Sequence, residues 1–162
     1  MVTRRSLMLV SLGAVSVLGL WAWHSSGAAD KQAEAQKSAI VRWDEAKANR
    51  ADWGEMRRYF TADTAATTSV LVAAAVIEPG KAVHRAHRHA EEEYLALVEG
   101  TGTWSLDCKE YPAKKGDVLY AEPWAYHGLT NTGSEKLVFF VVRYSGKGVQ
   151  PPPRPDNRPD EM

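Results

Sequence analysis

From Thr68 onward the chain breaks into short apolar runs separated by turn residues, and this punctuation limits what it can fold into. Residues 69–77 form a nearly continuous apolar run that stops at Glu78-Pro79-Gly80, which reads as a buried strand followed by a turn. Shorter runs recur over residues 93–99, 102–107, 117–121, 126–129 and 136–144. Many short strands at regular spacing predict an all-β sandwich or barrel. No internal repeat and no glycine-rich phosphate loop breaks the pattern.

At 162 residues and 44% hydrophobic content, the chain has room for one packed domain. Lys+Arg and Asp+Glu are both 20, so no global basic field exists of the kind nucleic-acid binding relies on. The single cysteine, Cys108, excludes an intrachain disulfide framework and a cysteine-based zinc cage.

Residues 1–29 have the layout of an export signal: Arg4 and Arg5, an uncharged run from Leu7 to Trp23, then Ser25-Ser26-Gly27-Ala28-Ala29. Cleavage would follow Ala28 or Ala29; left uncleaved, the segment would serve as a membrane anchor. The string Thr3-Arg4-Arg5-Ser6-Leu7-Met8 is similar to the twin-arginine export signal, with Leu7 where phenylalanine is common. The alternative is that the two arginines are the positive end of an ordinary signal. Either route predicts an extracytoplasmic protein, periplasmic or secreted, with the membrane involved only if the segment stays attached. Removing Arg4 and Arg5 leaves 18 basic against 20 acidic residues, a net of −2, too small to imply a charged partner.

Residues 30–65 read as an N-terminal helix/strand extension. The stretch from Asp30 to Arg50 is rich in helix formers, although Ala39-Ile40-Val41-Arg42-Trp43 suits a short strand equally well. Residues 66–146 hold the strand pattern, and residues 147–162 form a proline-rich tail expected to be extended or disordered.

Four of the five histidines fall between His84 and His127. His87-x-His89 sits where a strand is expected to begin, and alternate residues of a strand share a face. Glu93 has the same parity, and a tight bend would return its carboxylate to the same point. His127 stands in a later strand, after Pro123-Trp124-Ala125-Tyr126. Three imidazoles and a carboxylate make a mixed nitrogen/oxygen shell suited to a divalent transition metal. On residue types alone two readings stay open: a metal centre, or surface histidines beside Arg85 and Arg88.

The spacing of these residues resembles the cupin superfamily. Its first motif is matched by Gly80, then His87-Arg88-His89, Glu93 and Gly100; its second by Gly116, Pro123, His127 and Asn131. The chain departs from the pattern with six residues between Gly80 and His87 instead of five, and with Ala125 in place of a glycine. The resemblance spans about residues 66–146. It implies a single cupin β-barrel of the double-stranded jelly-roll type. It also implies one divalent metal (Fe, Mn, Ni, Cu or Zn) held by His87, His89, Glu93 and His127. His84 lies outside the pattern and reads as a rim residue, while Gly80, Gly100 and Gly116 read as turn residues with positive φ.

Trp104, Trp124, Tyr126, Phe139 and Phe140 read as core rather than pocket. Cys108 reads as a passive thiol in a polar turn, and Asn131 as a strand-end partner. The implied partner is a small-molecule ligand or substrate, and a homodimer is compatible with such a barrel. Cupins include dioxygenases, and isomerases, lyases and decarboxylases in which a metal stabilises a developing enolate or oxyanion. The alternative is a non-catalytic module binding a sugar, small acid or metal. Zinc hydrolysis is a third class, disfavoured by the additional Glu93 and the short chain.

Overall fold

The computed structural model describes residues 35–155, and these contain nine strands and no helix. The export signal and the far end of the tail lie outside the described residues. So does the start of the expected N-terminal helix. Its described part, residues 35–46, carries no helix and no strand, and the adjoining Lys47–Ala51 is β1.

The strands are β1 (Lys47–Ala51), β2 (Gly54–Phe60), β3 (Thr67–Ile77), β4 (Glu92–Glu99), β5 (Thr101–Leu106), β6 (Lys109–Lys114), β7 (Val118–Ala121), β8 (His127–Thr130) and β9 (Leu137–Gly146). They form a six-stranded antiparallel sheet, β1-β2-β3-β9-β4-β7, and a three-stranded one, β6-β5-β8. This double-sheet barrel is the all-β architecture that the run pattern predicted.

The core follows from period-two alternation. β3 turns Ala73, Ala75 and Ile77 inward, β9 Leu137, Phe139 and Val141, and β4 Leu95 and Leu97. Trp104 and Leu129 face them from the smaller sheet. β3 reads as continuously apolar because it is central, paired with β2 on one side and β9 on the other.

Turn chemistry sets the register. Asp107 and Cys108 have φ of 47° and 62°, the left-handed pair of a tight hairpin between β5 and β6. Pro112 lies in β6, at the sheet edge, where a missing N–H breaks no ladder. Gly80, Gly100 and Gly116 all have positive φ, as their motif positions implied.

Asn131 is the clasp beyond β8. Fully buried, it donates through Nδ2 to Ile77 O (2.9 Å) and Glu135 O (2.8 Å), and its Oδ1 accepts from Gly133 N (3.0 Å). Removing it strands buried backbone groups. Asn131→Ala should lower unfolding free energy by about 2 kcal/mol, measured by denaturant titration, with metal content per folded chain unchanged. A loss below about 0.5 kcal/mol would contradict the clasp, since that is the scale of ordinary surface substitutions.

Candidate metal centre

β8 is paired with β5 on one edge, and the loop of residues 81–91 runs along its other edge. Two bridges fasten that loop, Ala82 opposite Thr130 and His87 opposite His127. At the second, His87 N donates to His127 O (3.0 Å) and His127 N donates to His87 O (2.9 Å). The expected strand start at His87 is therefore corrected: His87 and His89 lie in an irregular loop. The ladder stops because His89 O is taken by Trp124 N (2.7 Å), from the turn that precedes β8.

That turn runs Glu122-Pro123-Trp124-Ala125 and is closed by Ala125 N donating to Glu122 O at 3.1 Å. Trp124 has φ of 70°, so the left-handed position falls on Trp124 and not on Ala125, where the motif has glycine. A non-glycine residue in that conformation costs about 1–2 kcal/mol. It is held by the bond to His89 and by the indole Nε1 donating to Pro152 O (2.7 Å). The start of the proline-rich tail is thus docked on the turn that positions His127.

The three imidazoles converge. Their ring centroids are 4.7–5.1 Å apart, and one nitrogen from each of His87, His89 and His127 lies within 4.8 Å of the others. Glu93, the second residue of β4, points inward beside them and is buried. Its Oε2 is 3.1 Å from His89 Nε2, and its Oε1 is 3.6 Å from His127 Nε2. The structure thus brings together all four residues singled out in the sequence. His84 is exposed, with its ring 4.0 Å from that of His87, and lies outside the three-histidine group.

The donor set fits a cation. His89 Nδ1 donates to Glu91 O and His127 Nδ1 to Ala125 O, both at 3.0 Å, because a carbonyl can only accept. Neutral rings so oriented turn their Nε2 lone pairs toward the Glu93 carboxylate. Lone pairs facing an anion at 3.1 Å require a proton or a metal ion between them. His127 Nε2 is buried with no hydrogen-bond partner, as is His87 Nδ1. Backbone carbonyls that fix the far nitrogen are the usual support of metal-binding histidines.

Burial pushes the His87 imidazole down to about 3, helped by the neighbouring His84, His127 and His89. In the metal-free cluster burial pushes the Glu93 carboxyl up, but protons carried by His127 and His89 in the place a metal would take outweigh it and hold the group at about 2. The site therefore keeps an ionised carboxylate beside an uncharged His87, the protonation states a metal requires.

A cavity of about 60 Å³ opens onto this cluster, with Leu71, Leu95, Phe139 and Val141 as apolar walls. Arg143 on β9 also lines it, a residue the sequence reading missed. The available signal was parity: Leu137, Phe139, Val141 and Arg143 alternate along one face, so an arginine ends an inward apolar series. Trp104, Tyr126 and Phe139 are buried, Phe139 against the cavity, whereas Phe140 stacks on Tyr59 and does not line it. Cys108 is exposed, in the turn between β5 and β6.

Comparison with known proteins agrees with this architecture. Residues 74–143 match the family described as the Cupin domain. Protein SchB of Streptomyces halstedii is 29% identical over 123 residues, covering 75% of this chain and 84% of that protein. An oxalate-binding protein of Thermotoga maritima is 27% identical over 88 residues, covering 54% of this chain and 73% of that one. The crystal structure of a predicted oxalate decarboxylase from Thermotoga maritima shares the fold. Its TM-score is 0.53 at 24% identity, and the match covers 65% of this chain and 98% of that one.

The two depressed groups give the metal-free protein a pH dependence of definite sign. Between the ordinary 6.5 and about 3, unfolded His87 binds a proton that native His87 does not. Between 4.5 and about 2 the same holds for Glu93. Both make the native state less stable as pH falls. The melting temperature of the chelator-treated protein should be lower at pH 4 than at pH 7, measured by thermal denaturation. A melting temperature that is flat or rises toward pH 4 would contradict these environments.

Proposed function

We propose that the chain is an exported, metal-dependent cupin enzyme that acts on a small organic molecule. One divalent transition metal (Fe, Mn, Ni, Cu or Zn) would be held by His87, His89, His127 and Glu93. The observation that carries this reading is the meeting of three imidazole donors and an ionised carboxylate at the wall of one small cavity. When bound, such an ion supplies Lewis-acid stabilisation of negative charge developing on a substrate oxygen, or redox chemistry with O2. The reaction classes compatible with that chemistry are dioxygenation, and isomerisation, lyase chemistry or decarboxylation.

The chain's own groups prepare the site. Glu91 O and Ala125 O hold the His89 and His127 rings in one tautomer, so no reorientation is needed when a ligand arrives. Glu93, at about 2, is a weak proton acceptor, which favours charge and ligation as its role over general-base work. The walls of Leu71, Leu95, Phe139 and Val141 make the surroundings apolar and strengthen every charge interaction inside. A second reading, binding without turnover, is favoured by the relative named as an oxalate-binding protein.

Elemental analysis of the mature protein, followed by turnover assays on a small-molecule panel, tests the proposal. About one metal per chain is expected, lost in His89→Ala and kept in His84→Ala, with turnover in proportion to metal. Equal metal in wild type and His87→Ala/His89→Ala would contradict the site. Metal binding without turnover, with all five ions reconstituted, would replace the enzyme by the binding module.

Export rests on the sequence of residues 1–29. Replacing Arg4 and Arg5 by lysine keeps the charge and should strand precursor in the cytoplasm. Unchanged export of that variant would return the segment to an ordinary signal.

A further inference from the structure

Arg143 is the one charged residue of β9, and it lines the cavity beside Glu93, His84, His87 and His127. It stands opposite Glu93 in the β4–β9 register and opposite Leu71 in the β3–β9 register. Facing strands place such side chains within contact range. Yet the Glu93 carboxylate turns toward His89 and His127. Arg143 Nε is buried and has no hydrogen-bond partner, and Arg143 forms no ion pair among the described residues. A guanidinium offers five donors in a planar fork, and leaving a buried one unmet is costly. The cavity wall therefore carries a half-buried guanidinium with one buried donor unmet.

Charge balance points the same way. With a divalent ion, ionised Glu93, three neutral imidazoles and Arg143, the site carries a net charge of about +2 in apolar surroundings. An entering anion relieves that excess; a neutral ligand leaves it. The cavity volume of about 60 Å³ corresponds to on the order of four to six waters at roughly 10–15 Å³ each. A small anion fits that space.

We propose that Arg143 determines substrate class, taking the carboxylate of a small organic acid on its guanidinium while the rest of the acid lies against Leu71 and Phe139 toward His87 and His127. The inference rests on the metal-enzyme reading and names the substrate class of that same site. A planar carboxylate matches the guanidinium fork through two parallel hydrogen bonds. A phosphate dianion is a poorer match, because its additional oxygens need further donors and would lie near the Glu93 carboxylate.

Calorimetry on the protein as purified tests the assignment. The probes are acetate, pyruvate and malonate, each beside its uncharged amide, with inorganic phosphate as a further arm. Wild type should bind at least one carboxylate about tenfold or more tighter than its amide. Arg143→Gln should erase that preference, and Arg143→Lys should keep part of it through charge alone. Both variants should retain wild-type metal content and fold, read by elemental analysis and melting temperature. The proposal is overturned if no carboxylate is preferred in wild type, or if phosphate binds tighter than every carboxylate. It is also overturned if Arg143→Gln weakens acid and amide alike while shedding metal, which would make Arg143 only a structural support for Glu93. The preference is read whatever the metal content. An unloaded wild type counts against the metal reading, whereas a loaded wild type without carboxylate preference counts against this inference alone.

Discussion

Two backbone hydrogen bonds, exchanged between His87 and His127, join segments far apart in the chain and fix where both imidazoles start. Everything else at the site is built around that bridge. The loop can lie this close to β8 because residue 128 is glycine: a Cβ there would sit 3.1 Å from Ala86 Cα and 3.3 Å from its Cβ, pressing the loop away. A slip of one residue would place Ala86 or Arg88 opposite His127 and turn His87 off the cavity. Trp124 holds the register from the other side. Its amide is bonded to His89, and its strained backbone is anchored to the tail at Pro152. Around the three histidines the chain thus spends conformational freedom on position, at some cost in local stability.

The costs are grouped at one end of the barrel. Along β4 and β9, Leu97 lies opposite Phe139 and packs in a fully apolar layer, with Ile77 and Leu137 next to it. Toward the other end the same two strands bring Glu93 opposite Arg143. There the orphan nitrogens of His87, His127 and Arg143 collect, together with the positive φ at Trp124. Isolated, each of these would be a defect. Gathered around one cavity, they are a set of donors and charges that a cation and an anion would satisfy together. The apolar layer supplies the stability that lets this end remain unsatisfied.

The sequence showed most of this where pattern and chemistry coincide. Apolar runs between turn residues marked β3, β4, β5, β7, β8 and β9, and the spacing of His87, His89, Glu93 and His127 picked out the residues that meet, although the pair lies in a loop and not on a strand face. β1 was hidden because Lys47–Ala51 is exposed throughout and composed of helix-tolerant residues; it is a strand because β2, itself paired to β3, offers it an edge. β6 was hidden for a related reason, since Lys109–Lys114 is polar and contains Pro112, and only its edge position makes that acceptable. The histidine pair was expected at a strand start, but bonds from the neighbouring turn made it a loop. Arg143 fell inside the run of residues 136–144 and was not read as a site residue; the register places it across from Glu93.

The central claim is that His87, His89, His127 and Glu93 form one metal shell. X-ray absorption of the metal-loaded protein measures that shell directly. The account predicts nearest neighbours at nitrogen/oxygen distances, with the outer-shell scattering of three imidazoles and no sulfur, falling to two imidazoles in His127→Ala. A bound metal whose spectrum lacks imidazole scattering, or is unchanged in His127→Ala, would contradict it.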